Sequence, residues 1–193
     1  MAVNTNIYDE KFFKNTLKLE EPSAKAAVQI INNRFKPKSI IDIGCGIGIY
    51  LKEFEYLGVE ITGFDGAPEA VKNSLVGDKI KLHDLSRPLR LDSKFDLCLC
   101  VEVAEHLPKA YEDTLLNTLI RLSNTIIFSA ATPGQGDESI GHINEQPHEY
   151  WINKFHGLGF AYQKYLTDDI RAEMAEKKVV WWIAKNIMVF KKT

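Results

Sequence analysis

The chain has 193 residues, a formal net charge of −2 and a sequence pI of about 6.2. Its 45% hydrophobic and 26% charged residues are typical of a globular domain with an ample core. Nonspecific nucleic-acid binding needs a basic surface, so this charge makes it unlikely. The polar first residues lack the apolar core of a signal peptide, and the longest apolar run, residues 179–184, is too short to span a bilayer.

Three cysteines, at positions 45, 98 and 100, are present, and none belongs to a zinc-like CxxC pair. Cys98 and Cys100 would face the same side of a strand. The pattern predicts small buried thiols in a cytoplasmic protein rather than metal or redox sites.

Residues 1–37 are predicted to form a helical lead-in. Pro22 stands where a helix can begin, and a single apolar stripe follows it as far as Phe35. Before this stripe, Tyr8, Phe12 and Phe13 are closely spaced aromatic residues.

The segment 38–48 predicts a strand, a turn and the start of a helix. Isoleucines at 40, 41 and 43 indicate a strand buried on both faces. Asp42, Gly44, Gly46 and Gly48 then form a turn, after which apolar residues recur at helical spacing. Glycines let the backbone approach a ligand closely, and the helix start offers free N–H groups. The alternative is a glycine-rich turn that binds nothing.

A second strand is predicted at Val59–Phe64, and it ends at Asp65 and Gly66. Asp65 follows Gly44 by 21 positions, which puts a carboxylate at the tip of the neighbouring strand, where it can accept two hydrogen bonds from a ribose diol. The alternative role for Asp65 is to cap a helix that starts near Ala67.

Further strands are predicted at Lys79–Leu82, Phe95–Val101 and Thr125–Ala130. Asp84 and Leu85 follow the first of them, and the polar segment from Glu102 to His106 follows the second. Pro108 precedes another predicted helix.

Residues 131–149 form a long irregular segment, which in a compact domain is usually functional or disordered. We expect an ordered loop on the substrate side, ending in a helix that begins near Pro147. The chain is then predicted to close with two strands, Phe160–Leu166 and Val179–Phe190, separated by a short helix over Thr167–Lys178.

The order Asp42-x-Gly44-x-Gly46-x-Gly48 resembles motif I of the class I S-adenosylmethionine-dependent methyltransferases. The resemblance covers roughly residues 36–193, so a methyltransferase domain is expected over residues 38–193. It implies an α/β fold with a doubly wound, mainly parallel seven-stranded sheet, helices on both faces and an antiparallel last strand. The implied cofactor is S-adenosylmethionine. A dinucleotide site of the G-x-G-x-x-G type is disfavoured by the glycine spacing.

The resemblance also implies roles for individual residues. The glycine turn would lie against the methionine part of the cofactor, Asp42 near its amino group, and Asp84 with Leu85 at the adenine. In relatives of this fold an N-terminal segment often covers the cofactor, so Tyr8 contributes to a lid or simply packs on the sheet. The expected cofactor-binding residues are Asp42, Gly44, Cys45, Gly46, Gly48, Asp65, Gly66, Asp84, Leu85 and Glu102.

The implied reaction transfers a methyl group to a small-molecule acceptor, with oxygen slightly preferred over nitrogen. His106, just past the central strand, is the expected general base because an imidazole titrates near neutral pH. It could equally pack under the next helix or hydrogen-bond Glu105.

Two further alternatives stay open. Glu102, Glu105 and His106, with His142 or His148, resemble the divalent-metal pattern of ubiquinone-pathway and small-RNA methyltransferases. A metal-free site is the preferred expectation. An RNA substrate is expected less still, because the chain carries a net negative charge. The rival from another class is a non-catalytic S-adenosylmethionine-binding partner or regulatory protein. The oligomeric state is not predicted.

Overall fold

The computed structural model describes residues 5–135 and 140–193. Its sheet has seven strands in the order β3-β2-β1-β4-β5-β7-β6. Strands β1 to β5 pair in parallel, and β7 runs antiparallel to both of its neighbours. This confirms the predicted mainly parallel sheet with an antiparallel last strand. The strands are Ser39–Ile43 (β1), Glu60–Asp65 (β2), Ile80–Leu82 (β3), Leu97–Val101 (β4), Thr125–Ser129 (β5), Phe160–Tyr162 (β6) and Met188–Lys192 (β7).

Helices cover both faces of this sheet, as the alternation of side chains in β4 shows. Leu97 and Leu99 belong to a core with α1, α2, α6 and α7, whereas Cys98 and Cys100 belong to a core with α4 and α5. Both cysteines are buried free thiols, as predicted. The helices are Glu10–Phe35 (α1), Ile49–Tyr56 (α2), Pro68–Lys72 (α3), Glu112–Leu122 (α4), His148–Gly157 (α5), Lys164–Glu176 (α6) and Trp181–Asn186 (α7).

The prediction that a helix starts at Pro22 is wrong. Helix α1 begins at Glu10, where the Asp9 carboxylate caps it by accepting a hydrogen bond from the Phe12 backbone N–H at 2.8 Å. Pro22 lies inside this helix, although a proline there removes one backbone hydrogen bond. The helix continues because residues on both sides of the proline, from Phe13 to Ile31, are buried against the domain.

The predicted closing strands are too long. The last β-strands are only three and five residues, and α7 occupies most of the apolar run that suggested a strand. Helix α7 buries Ile183, Ala184 and Asn186 and leaves Trp181 57% exposed, which is the one-sided burial of a helix. Helix α6 is longer than predicted, and its buried Thr167 accepts a hydrogen bond from Val189 N in β7 through Oγ1.

Strand β1 lies between β2 on one side and β4 on the other, so the chain winds outward in both directions from this point. Ligands of open α/β sheets bind at such a switch point, outside the carboxyl ends of the strands. In residues 5–135 and 140–193, no helix combines the length and apolar character that a membrane crossing requires.

Candidate active site

A cavity of about 820 Å³ opens at the carboxyl ends of β1 to β4. This volume is in the range of small-molecule sites. All of the predicted site residues line the cavity except Gly48. The sequence pattern therefore located one site, assembled from four strand ends.

The glycine turn after β1 forms the floor of the cavity. Gly44 has a φ of 79°, and a Cβ added there would lie 2.4 Å from Cγ2 of Val103, so no side chain fits. The N–H groups of Gly44 and Cys45 both donate to the Phe64 carbonyl, which ties the turn to β2. Gly48 has a different role: a Cβ there would lie 2.9 Å from Cδ1 of Ile80, on the core side of the turn.

Asp65 connects this turn to the next helix. Its Oδ2 accepts a hydrogen bond from Gly46 N and its Oδ1 one from Ala67 N, both at 2.8 Å. The bond to Ala67 forms just before α3, which has no side-chain cap hydrogen bond, so it holds the turn rather than caps the helix, and the carboxylate also lines the cavity. Each carboxylate oxygen has a second lone pair, so both roles are compatible.

Asp84 and Leu85 lie at the far end of the cavity, after β3. The Asp84 carboxylate accepts hydrogen bonds from the backbone and side chain of Ser86 at 3.0 and 2.6 Å, and Arg87 lies 3.3 Å away. The Ser86 hydroxyl is the main cause that lowers the pKa of Asp84, so this side chain is a carboxylate at neutral pH.

Asp42 is 3% exposed and lies beneath the glycine turn. Burial, together with the charges of Asp65 and Glu20, raises the pKa of Asp42 to about 7. Glu20 reaches the same space from α1. Burial raises its pKa to about 7, although the nearby Tyr50 and Trp182 side chains oppose this rise. Several carboxyl groups thus share a space in which they resist ionisation.

A second cluster, of Glu105, His106 and His142, lies past the end of β4. One ligand atom from each of the three side chains is within 4.8 Å of the other two. The imidazole rings of His106 and His142 are 4.7 Å apart between centroids, and the Tyr8 ring packs on His106 at 5.5 Å.

The groups of this cluster are strongly perturbed. Glu105 is fully buried, and burial followed by the Glu102 charge raises its pKa. Burial, with His142, lowers the pKa of His106 to about 4, so this imidazole is neutral at pH 7. Glu105 Oε2 and His106 Nδ1 form no hydrogen bond with the described residues.

The loop after β5 is held against this cluster. Ile143 N and Asn144 N donate to the Glu105 carbonyl at 2.9 and 3.0 Å, and the His142 ring is 2.8 Å from a Glu145 oxygen. The structure therefore brings His142 to His106. His148 instead starts α5 beside Arg171. Part of the predicted substrate-side loop, residues 136–139, lies outside the described residues.

Glu102 lies between the carboxyl groups at the ends of β1 and β2 and the histidine cluster past β4. Its backbone is in the left-handed region with a φ of 53°. Its N–H donates to Ser129, and its Oε1 accepts a hydrogen bond from Asn186 Nδ2 at 3.3 Å. A non-glycine residue in this conformation is strained, and such strain persists where surrounding contacts fix a functional residue.

Sequence reasoning did not identify the remaining walls. Glu20, Tyr50, Gln135, Trp181 and Trp182 also line the cavity. The adjacent tryptophans were a visible signal, but the strand expected over Val179–Phe190 assigned them to the sheet. The N-terminal aromatic residues, whose position was left open, line the cavity at Tyr8, Phe12 and Phe13.

A family model described as a methyltransferase domain matches residues 17–164, more than half of the chain. The chain belongs to the class I S-adenosylmethionine-dependent methyltransferases. This confirms the resemblance inferred from the glycine turn, and S-adenosylmethionine is the methyl donor of the family.

Curated relatives of this methyltransferase domain are ubiquinone biosynthesis O-methyltransferases. One from Colwellia psychrerythraea is 29% identical over 128 residues, covering 60% of this chain and 52% of that protein. The mitochondrial enzyme of Schizosaccharomyces pombe is 34% identical over 83 residues, covering 38% of this chain and 30% of that protein. The chain thus matches about half or less of the length of these relatives.

Solved structures share the fold at low identity. A Haloferax volcanii putative methyltransferase, solved in complex with a Trm112 activator, has a TM-score of 0.71 and 16% identity, covering 100% of this chain and 98% of that chain. Magnesium protoporphyrin IX methyltransferase from Synechocystis with bound S-adenosylmethionine has a TM-score of 0.64 and 15% identity. The match covers 97% of this chain and 88% of that chain.

The cavity of this methyltransferase domain fits the charge of the methyl donor. Five acidic residues line it, namely Glu20, Asp42, Asp65, Asp84 and Glu102. None of the described lining residues is a lysine or an arginine. S-adenosylmethionine carries a sulfonium and an ammonium group against one carboxylate. A net cation compensates the carboxyl groups that otherwise resist ionisation.

The Asp42 environment predicts how stability depends on pH. The pKa is raised from 3.8 to about 7 on folding, so the stabilisation is present at low pH and is lost as pH rises through about 7. Replacing Asp42 with Asn removes this loss. Between about pH 5 and about pH 8, the melting temperature of Asp42→Asn should fall less than that of the parent, by at least about 2 °C.

Asp84→Asn is the matched control for this measurement. The pKa of Asp84 is lowered on folding, so its contribution is already constant across that pH range, and the variant should keep the parental slope. Equal slopes for the parent and Asp42→Asn would contradict the assigned environment of Asp42.

Proposed function

We propose that this domain transfers the methyl group of S-adenosylmethionine to an oxygen atom of a small-molecule acceptor. Bound S-adenosylmethionine supplies an electrophilic methyl group on a positively charged sulfur. The observation that carries the proposal is one cavity with carboxylates at the ends of β1, β2 and β3 and a histidine cluster past β4. The O-methyltransferase relatives support oxygen over nitrogen as the acceptor atom.

The cofactor contacts follow from the positions of the side chains. Asp65 would hold the ribose hydroxyls, Asp84 and Leu85 the adenine, and Asp42 the ammonium group. Gly44, Cys45 and Gly46 would present backbone to the methionine part, with Gly66 beside the ribose and Glu102 near the methyl group. Gly48 would act through the shape of the turn, because it faces Ile80.

His106 is the proposed proton acceptor for the acceptor hydroxyl. Its pKa is lowered to about 4, so the imidazole is unprotonated at pH 7 and free to accept a proton, but it is a weaker base than the near-neutral imidazole expected from the sequence. Its position between Tyr8 and His142 holds the ring at the cavity wall. The rest of the rate enhancement would come from holding the two reactants in line and excluding water.

A divalent cation is the alternative occupant of this cluster. Glu105 Oε2 and His106 Nδ1 have no hydrogen-bond partner in the described chain, and a carboxylate with two imidazoles is a suitable ligand set. Glu105, His106 and His142 would hold the ion, which would lower the pKa of a bound hydroxyl. Glu102 is outside this group and is hydrogen-bonded to Asn186 instead.

A non-catalytic S-adenosylmethionine-binding subunit is the second candidate function. The Haloferax structure is a complex with an activator protein, which makes a protein partner worth testing here. We also propose a cytoplasmic location for the protein.

The central experiment combines binding and transfer. Calorimetry should show binding of S-adenosylmethionine and of its product S-adenosylhomocysteine, which keeps every group that the carboxylates would contact. Incubation with methyl-labelled cofactor and a small-molecule extract should then label a small molecule. Binding without transfer would favour the regulatory alternative, and binding of NAD alone would overturn the proposal.

The acidic strand ends should differ in their effect on cofactor affinity. Asp65→Ala removes the acceptor of two ribose hydrogen bonds and should weaken S-adenosylhomocysteine binding by about 2–3 kcal/mol. Asp84→Ala should cost about 1 kcal/mol, since it loses one contact at a half-exposed position. Parental affinity in Asp65→Ala, measured by calorimetry, would show that the strand-end assignment is wrong.

The histidine cluster can be tested by turnover and by chelation. His106→Ala should leave S-adenosylhomocysteine affinity near normal and lower turnover about 10²- to 10⁴-fold, because it removes the proton acceptor. His148→Ala, outside the cluster, is the matched control and should retain turnover.

Chelation then distinguishes the general base from the metal. Turnover that survives EDTA but is lost in His106→Ala favours a metal-free base. Loss with EDTA that Mg²⁺ or Mn²⁺ restores, together with Mn²⁺ binding that disappears in His142→Ala, favours the cation. Full turnover in His106→Ala would make this histidine structural.

A further inference from the structure

One wall of the cavity has no part in the proposed chemistry. It is formed by Leu19 and Glu20 of α1, Tyr50 of α2, and Trp181 and Trp182 of α7. Leu19 and Trp181 are each 57% exposed although they line a cavity. Exposed large apolar side chains at a pocket indicate a surface that a ligand covers.

The charge of the cavity limits what this ligand can be. Five carboxyl groups line it, and no lysine or arginine does so in the described part of the chain. Lys185 is outside the lining, where it stacks on Trp181 and donates to Thr132. A phosphate or carboxylate entering here would meet no lysine or arginine among the described lining residues and would oppose ionisation of the carboxyl groups, whereas a cation would favour it.

Two of the five carboxyl groups remain after the cofactor is assigned. Asp42, Asp65 and Asp84 have proposed partners on S-adenosylmethionine, whereas Glu20 has none, and Glu102 is near the methyl group. Glu20 lies beside the hydroxyl of Tyr50 and the indole N–H of Trp182, both neutral groups. Glu102 is fixed by Asn186, which also donates to Gln135 at 3.0 Å.

The aromatic side chains suit a cation as well. An ammonium group over an indole ring is attracted by the electrons of the ring face. Trp181 already accepts one such contact, because the Lys185 Nζ lies 5.8 Å from its ring centroid. A flat apolar body would cover Trp181 and Leu19 while its ammonium group faced Glu20.

We propose that the acceptor is an organic cation, with an amine held by Glu20 beside Tyr50 and Trp182 and an apolar body against Trp181 and Leu19. This inference rests on the proposed function and adds the charge of the substrate. It is compatible with methyl transfer to oxygen, since a hydroxyl and an amine can belong to one molecule.

The test uses the protein saturated with S-adenosylhomocysteine and three probes of nearly equal shape. Benzylamine is a cation, benzyl alcohol is neutral and benzoate is an anion at neutral pH. Binding is measured by calorimetry at millimolar concentration. Benzylamine should bind at least about 10-fold more tightly than benzyl alcohol, and benzoate should not bind.

Variants of the wall residues test whether they cause the preference for benzylamine. Glu20→Gln should reduce the preference for benzylamine about 10-fold, and Trp181→Ala should weaken both benzylamine and benzyl alcohol. Glu55→Gln, an exposed carboxylate of α2 outside the cavity, is the matched control and should behave as the parent. S-adenosylhomocysteine affinity is measured for each variant and should stay within about threefold of the parental value.

Each contrary result has a separate meaning. If S-adenosylhomocysteine binds but benzylamine has no advantage, or none of the probes binds, the cationic acceptor is refuted and methyl transfer is not. A preference for benzoate that Lys185→Gln abolishes would indicate an anionic acceptor. Reduced S-adenosylhomocysteine affinity in Glu20→Gln with an unchanged benzylamine preference would assign Glu20 to the cofactor. No S-adenosylhomocysteine binding by the parent would refute the proposed function itself.

Discussion

The site depends on how the glycine turn after β1 is tied to β2. The Phe64 carbonyl accepts hydrogen bonds from Gly44 and Cys45, and the Asp65 carboxylate accepts one from Gly46. These contacts fix a stretch of backbone that lines the cavity at the switch point of the sheet. Because Gly44 also lies against Val103, the same turn sets the distance between the ends of β1 and β4. One short segment thereby joins the end of β1 to the end of β4, past which the histidine cluster lies.

The excess of carboxyl groups is the second determinant of the site. Buried Asp42 and half-buried Glu20 share a space with Asp65, and no cation in the described lining neutralises them. Such a cavity is costly for the free protein and favourable for cationic ligands, since binding removes the mutual repulsion. Ligand binding and carboxylate ionisation should therefore be coupled. The effect extends beyond Glu102 to Glu105, whose pKa is raised first by burial and then by the Glu102 charge.

The sequence predicted the parallel part of the fold well because its signals are local. A β-branched strand, a glycine turn and an acid at the next strand end are all visible within residues 40–65, and they led to the correct family. The apolar run over residues 179–190 was misread, because period and composition cannot separate a short helix from a buried strand there. The prediction that a helix starts at Pro22 was wrong for another reason, because the tertiary packing of α1 outweighed a local helix-breaking residue. The position of Glu20 in the cavity left no local signal, since it arises only when α1 crosses the cavity.

A crystal structure of the complex with S-adenosylhomocysteine is the most direct test of the proposed site. We expect the ribose hydroxyls within hydrogen-bonding distance of Asp65, the adenine beside Leu85, and the sulfur directed toward His106. We also expect the space between Trp181 and Glu20 to stay open for an acceptor. A ligand bound in the reverse orientation, or one whose amino acid part fills the space beside Trp181, would contradict the proposed site.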